Sequence, residues 1–426
     1  MNVTGIIAEY DPFHNGHRYH IEKARALTGA QFVIVIMSGD FVQRGKPACM
    51  DKYTRTRHAL MGGADLVIEL PVEYATGSAS YFAGGAIALL DRMGVADSLC
   101  FGSESDDISA LIAAARILAD EPEELADSIK ARTRQGESFP AARSAALSGY
   151  LQSHPVPGAD PLSIVRVLSS PNNILAVEYI KALMKRGSSI RPIAVKRSND
   201  YFSDTLTAPY CSSTAIRNAL FGRDSADHMA LTRRLDAIRS CVPDEVFGYM
   251  LSDYGITFPI LPDDLSQMLF YRLLTASEGP LSCYSDVSGE LESRIRDSLD
   301  QALSFSSLAE SVKCRSYTRS RIDRALLHIL LGIRGDDLEK DIADDYVRYA
   351  RILGFRKNST GLLSQLKASS SVPLITKLAD ADTILDEDGL AMLERDIHAA
   401  DIYRSLQRSR FGCAPKNEYT QGIIMI

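Results

Sequence analysis

No apolar run in the 426 residues approaches the roughly 18–20 needed to cross a bilayer, which excludes a helical membrane protein. The first residues, Met1-Asn2-Val3-Thr4-Gly5, show no basic segment leading into an apolar stretch and a cleavage site, so the expected location is the cytoplasm. No C-x-x-C pair occurs among the seven cysteines, at positions 49, 100, 211, 241, 283, 314 and 413. Their spacing excludes a zinc ribbon, and the odd, scattered set fits thiols used as small apolar residues rather than a disulfide scaffold. Positive charge is not in excess either. The 47 Lys+Arg against 54 Asp+Glu leave −7, so any contact with nucleic acid must rest on a local basic face. There is no repeat period and no low-complexity tract. What is present is ordinary globular composition, 46% hydrophobic and 24% charged, in a length that suggests two or three domains.

From the start to about residue 223, short β-rich runs (3–9, 32–37, 66–70, 98–101, 190–195) alternate with stretches of helical apolar spacing (16–27, 51–62, 81–93). Alternating strand and helix predicts an α/β domain, a mostly parallel sheet with helices on both faces and a ligand beyond the carboxyl ends of the strands. An Ala/Leu-rich, charged stretch over 105–149 reads as a helical insertion, with Pro155, Pro157 and Pro161 in the loop after it, so the insertion covers about 105–160. Beyond 223 the strand signals mostly stop. Residues 231–239, 265–274, 291–309, 320–331, 344–354 and 391–406 read as helices, and the expected division is a catalytic domain over 1–223 followed by a helical domain over 224–426.

The first strand runs into Ile7-Ala8-Glu9-Tyr10-Asp11-Pro12-Phe13-His14-Asn15-Gly16-His17-Arg18-Tyr19-His20. A turn with Pro and Gly, then a helix starting near Gly16, puts His14 and His17 within one helical turn at a helix N-terminus. Free N–H groups and the positive dipole end make phosphate the natural ligand there, and imidazole N–H groups can stabilise charge that develops on it. Gly16 permits close backbone approach. The competing reading is a pair of surface histidines or a partial metal site, for which His20 is the only nearby third ligand; no metal site is expected. A second cluster, Cys211-Ser212-Ser213-Thr214-Ala215-Ile216-Arg217, follows the last expected strand. Taken alone it reads as a helix N-cap. Its hydroxyls can also donate to β- and γ-phosphates, with Arg217 adding charge one turn later.

Together, His14-Asn15-Gly16-His17 and Ser212-Ser213-Thr214-Ala215-Ile216-Arg217 resemble the H-x-G-H and I-S-S-T-x-I-R motifs of the nucleotidyltransferase superfamily, which includes the class I aminoacyl-tRNA synthetases; Cys211 replaces the isoleucine. Further stretches, 37–48, 51–53, 63–71, 101–104, 170–175 and 196–197, with weaker matches at 317–322 and 351–355, resemble the bacterial tRNA(Met) cytidine acetate ligases. That resemblance implies a Rossmann-like nucleotidyltransferase domain and a two-step reaction. Acetate attacks the α-phosphate of ATP to give acetyl-adenylate and pyrophosphate. N4 of the wobble cytidine of elongator methionine tRNA then takes the acetyl group. It implies His14, His17, Ser213, Thr214 and Arg217 as catalytic residues. It also implies ATP contacts from residues 7–20 with Gly102, Asn173 or its neighbour Asn172, Lys196 and Arg197. Without the resemblance, Gly102 is a strand-end turn. Adenylation commonly uses Mg²⁺ on the phosphates, and the sequence shows no cage for it.

The loop 38–47 carries Asp40, Gln43, Arg44 and Lys46, and Arg44 or Lys52 is expected to contact an anion; otherwise the loop is simply solvated. Lys313, Arg315, Arg319, Arg321 and Arg324 stand against the single acidic Asp323 in the stretch 313–324, and Tyr317 lies among them. At helical spacing they form a basic stripe suited to tRNA phosphates, extended by Arg351, Arg356, Lys357 and Lys367; the alternative is a solvated charged face. No protein partner and no membrane are implied. The runner-up function is a small-molecule nucleotidyltransferase, for which the helical extension is larger than a small substrate requires. A non-catalytic nucleotide or RNA sensor ranks third.

Overall fold

A computed structural model describes all residues except 106, 197–204, 222–227 and 276–278, and the backbone alone for 228–232. The chain opens with β1 (Val3–Ala8), α1 (Asn15–Thr28) and β2 (Phe32–Ser38). A small hairpin follows, β3 (Phe41–Val42) with β4 (Lys46–Pro47), then α2 (Lys52–Met61), β5 (Leu66–Leu70), α3 (Ala79–Arg92) and β6 (Ser98–Ser103). Helices Ile108–Asp120, Glu123–Arg134 and Phe139–Ser153 form the insertion before α4 (Pro171–Arg186), β7 (Arg191–Lys196) and α5 (Ser213–Leu220). The remainder is mostly helical and includes α6 (Arg319–Leu331), but it also supplies β8 (Ala350–Phe355), β9 (Leu374–Ile375) and β10 (Ile424–Met425).

The main sheet runs β10-β8-β5-β2-β1-β6-β7, with β9 beside β8. The five strands β5-β2-β1-β6-β7 are parallel, whereas β8 runs antiparallel to β5. The chain order reverses direction between β1 and β6, so the crevice beyond their carboxyl ends is the topological switch point at which α/β sheets bind ligands. β2 shows why its sequence, FVIVIMS, makes such a strand. Ile34 and Ile36 join the core on one face with α3 and α4, and Val33, Val35 and Met37 join the core on the other with α1 and α2. Burial on both faces gives a continuous apolar run instead of an alternating one, and contributes about 1.5–3 kcal/mol per large side chain. A third core, around Leu269, Leu291, Phe305 and Leu326, fills the helical region and takes in Phe41 of the hairpin.

Three expectations are corrected. Residues 344–354 are not a helix: Ala350–Phe355 is a strand, buried over nearly its whole length. Its apolar residues face cores on both sides, which a helical spacing mimics, and its one charge, Arg351, is neutralised inside. The expected helix over 291–309 is two, Gly289–Ser298 and Phe305–Ser311, the second starting from a Ser304 cap. Cys211 and Cys241 form a disulfide, and the other cysteines are free. The pair is 30 residues apart in sequence and meets only where α5 packs against His228–Ile238, so linear spacing carried no signal for it.

Candidate active site

His14 is the N-cap of α1, in extended conformation, and its Nδ1 accepts the Gly16 N–H at 3.0 Å. The Nδ1 of His17 accepts the His14 N–H at 3.3 Å, which closes a reciprocal capping box. A backbone N–H can only donate, so both acceptor nitrogens are unprotonated and each neutral imidazole carries its proton on Nε2. The rings stack at 3.7 Å between centroids, backed by buried Tyr10 and Phe13. Gly16 has a specific reason to be glycine: a Cβ there would lie 2.9 Å from Cε1 of His14, displacing the ring that caps the helix.

The second cluster starts α5. Ser212 is its N-cap, accepting the Ala215 N–H at 3.0 Å, which leaves the Ser213 and Thr214 hydroxyls for other work. Nε2 of His14 lies 3.1 Å from Oγ of Ser213, so the two motifs, nearly 200 residues apart, touch. Arg217 reaches across to the Asp11 carbonyl and, at 3.3 Å, to its carboxylate. Two helix N-termini therefore adjoin at the carboxyl end of the central strand, an arrangement built for anionic ligands.

They open into a cavity of about 460 Å³, within the range of small-molecule sites. Ile7, Ala8, Glu9, Tyr10, Asp11, His14, Gly16, His17, Tyr19 and His20 line it, as do Gly102, Asn172, Lys196, Ser213, Thr214 and Arg217. Pro12, Phe13, Asn15 and Arg18 do not. Phe13 is core, Asn15 donates to the carbonyls of Pro209 and Ser240, each close to one of the disulfide cysteines, and Arg18 is half-exposed and paired with Glu22 and Glu245. Asn173 is likewise absent from the wall. Buried, it accepts from Ser103 Oγ at 2.7 Å and from the Glu104 N–H at 2.9 Å, pinning the turn that follows β6, whereas Asn172 lines the cavity. Arg197 lies outside the described residues. Tyr210 and Asn218 also line the cavity, as does Pro262 from the helical region. The first two could have been suspected from their place beside the second motif; Pro262 carries no local signal.

The loop after β2 brings Gln43, Arg44 and Lys46 into the wall. Lys52 is elsewhere: fully buried, it is held at 2.8 Å by both Glu69 and Glu418. Its anions are the protein's own carboxylates, which corrects its expected ligand role. Arg351 belongs to the same cluster and is buried, so it does not extend a basic surface. The hairpin touches α6 at its second turn so closely that a Cβ on Gly45, at φ +72°, would lie 2.3 Å from the Arg324 nitrogen. There Lys46 faces the buried Asp323 at 3.7 Å, and Asp323 also accepts from Arg319 at 2.7 Å. Burial depresses the Lys46 amine, and Asp323 opposes that shift. The expected stripe is thus divided. Arg324 turns inward onto Asp286 at 2.7 Å, and Arg319 is shared between Glu310 and Asp323. Lys313 pairs with Glu310 at the surface, Arg315 is exposed, and Arg321 lies over the ring of Tyr317.

A model of the HIGH nucleotidyl transferases matches residues 1–416, and the chain belongs to that family. The tRNA(Met) cytidine acetate ligase of Acetivibrio thermocellus is 38% identical over 430 residues, covering 100% of both chains. That of Clostridium kluyveri is 39% identical over 410 residues and 96% of each. The crystal structure of Thermotoga maritima TmcAL bound with alpha-thio ATP superposes with a TM-score of 0.89 at 31% identity, again over 100% of both chains. Within the HIGH family, the chain belongs with the tRNA(Met) cytidine acetate ligases.

Proposed function

We propose that the chain is an ATP-dependent ligase that activates acetate as acetyl-adenylate and transfers the acetyl group to N4 of the wobble cytidine of elongator tRNA(Met). The observation that carries this reading is the His14–Ser213 contact, which joins two helix N-termini and two Nε2–H donors at the mouth of the central strand. An acetate oxygen attacks the α-phosphorus of ATP while the bond to the bridging oxygen of pyrophosphate breaks. Negative charge grows on the departing phosphates, and His14, His17, Ser213, Thr214 and Arg217 offer positioned donors to it. Mg²⁺ is read as arriving on the ATP phosphates, because this ion is commonly held by substrate phosphates, water and few protein ligands. Asn172, Lys196, Gly102 and Arg197 are assigned to ATP in this reading, and Asn173 to holding the turn beside it.

That division predicts a split between neighbours. Asn172→Ala should raise KM for ATP roughly five-fold, the equivalent of about 1 kcal/mol, and cost about 1 kcal/mol in urea unfolding through its lost hydrogen bond to Glu104. Asn173→Ala should cost about 1–3 kcal/mol of stability, because buried donors lose their acceptor.

tRNA is read as approaching the end of α6 that abuts the hairpin, with Lys313, Arg315 and Arg321 as surface contacts and Arg319 at the edge. Such a substrate places the protein in the cytoplasm; no helix among the described residues is long and apolar enough to cross a membrane. Replacing Arg315 and Arg321 together by alanine should flatten the dependence of log K on log salt by about 1–2. An unchanged slope discards this surface. The function itself is tested by incubating the protein with labelled acetate, ATP and elongator tRNA(Met), and digesting the product to nucleosides. Label in acetylated cytidine is expected; label absent from RNA in the presence of pyrophosphate release refutes the second step.

A further inference from the structure

Acetyl transfer to cytidine needs a proton acceptor. The exocyclic amine shares its lone pair with the ring and becomes nucleophilic only as an N–H proton leaves, so a positioned base near the carbonyl carbon speeds the step. The cavity offers few such groups. His14 and His17 have committed Nδ1 to backbone N–H groups and present only donors. Nε2 of His20 is turned to Cys100 Sγ at 3.6 Å. Asp11 accepts the Cys49 N–H at 2.7 Å and is paired with Arg217. Outside the wall, Asp40 accepts the Lys52 N–H at 2.7 Å, and Glu104 accepts from Ser170 and Asn172.

Glu9 differs from all of these. It follows directly on β1, lines the cavity, and is fixed through Oε1, which accepts the Gln43 N–H at 2.8 Å. Among the described residues, Oε2 accepts no hydrogen bond and neither oxygen lies within ion-pair distance of a cation. A carboxylate without an ion-pair partner is a poor neighbour for a triphosphate, since like charges repel in a partly buried site. It suits a neutral N–H donor that must give up a proton.

We propose that Glu9 is the catalytic base of the transfer step: Oε2 takes the N4 proton of cytidine as the new C–N bond forms and the acyl C–O bond to AMP breaks. AMP leaves with the electron pair, and Glu9 then returns its proton to solvent. Burial raises the Glu9 carboxyl above its ordinary value, and Asp11 adds to the rise. The Gln43 N–H, Arg217 and Arg44 pull it back, and Tyr179 of α4 also faces it. The direction brings the base nearer to working pH, where a general base is most effective.

This inference rests on the ligase reading, and its test separates the two. Full-length wild type and Glu9→Gln are given acetyl-adenylate and tRNA in single-turnover transfer, and the same preparations are assayed for acetate-dependent ATP–pyrophosphate exchange. The expected result is a fall in transfer of about 10²-fold or more, exceeding any fall in exchange at least tenfold, with the rising limb of the wild-type pH–rate profile lost. Exchange measured on the same sample reports a folded protein. Transfer at the wild-type rate overturns the proposal. Equal falls in both assays also overturn it, and return Glu9 to ATP binding. A wild type that transfers nothing from acetyl-adenylate refutes the ligase reading instead.

Discussion

Replacing His17 by alanine is expected to lower acetate-dependent ATP–pyrophosphate exchange by about 10²–10³-fold, the loss typical of one positioned donor to a developing anion. Its Nδ1 also receives a long hydrogen bond, 3.3 Å, from the His14 nitrogen, and its ring packs on His14, Tyr10 and Phe13, so unfolding stability should fall as well, by about 1 kcal/mol. His14 is different because it caps α1 and meets Ser213. His14→Ala should lose a similar factor in exchange and also about 1 kcal/mol of stability through the missing cap. A His17→Ala protein exchanging within threefold of wild type would remove the imidazole from phosphate handling.

The second large effect lies away from the cavity. Lys52, Glu69, Arg351, Glu418 and the Tyr53 hydroxyl form a buried charged cluster under the edge of the sheet. Arg351 Nη1 and Glu69 Oε2 lie 3.2 Å apart, close enough to attract though not aligned as a hydrogen bond. Burial alone would raise the Glu418 carboxyl, but Lys52 and Arg351 outweigh it and hold the group below the usual range. Glu418→Ala leaves those two cations short of a counter-charge where water does not reach, and should cost about 3–5 kcal/mol. An exposed pair such as Arg294–Glu290 contributes under about 1 kcal/mol. The sign with pH follows from the depressed carboxyl. Its stabilisation is complete above the unfolded value of 4.5 and is lost as pH falls below it through the folded value. Urea unfolding from pH 7 downward should show wild type converging on Glu418→Ala in acid. A neutral-pH difference under 1 kcal/mol would mean that the cluster relaxes around the loss.

How legible this was in the sequence depended on the range of the interactions. The parallel core strands and α1, α2 and α3 were readable because each carries its own periodicity, and both motifs were readable because each is a contiguous string at a helix start. What the sequence hid was long-range. Residues 350–355 pair with β5 across some 280 positions, and their burial on both faces looks helical in one dimension. Lys52 looked like a ligand cation until Glu69 and Glu418 were found around it. Asn172 and Asn173 are adjacent on one helix, and only the position of Ser103 and Glu104 shows which of them faces the cavity. Arg324 fits a basic stripe by spacing, yet Asp286, 38 positions away, draws it inward.

His14, His17, Ser213, Thr214 and Arg217 are read as donors for acyl activation, and ATP–pyrophosphate exchange with purified protein, without RNA and with or without acetate, puts that reading at risk in a single assay. Exchange that appears only when acetate is added is the predicted result. Exchange that ignores acetate, both alone and with bulk tRNA present, would contradict it and point to nucleotidyl transfer onto a different small molecule.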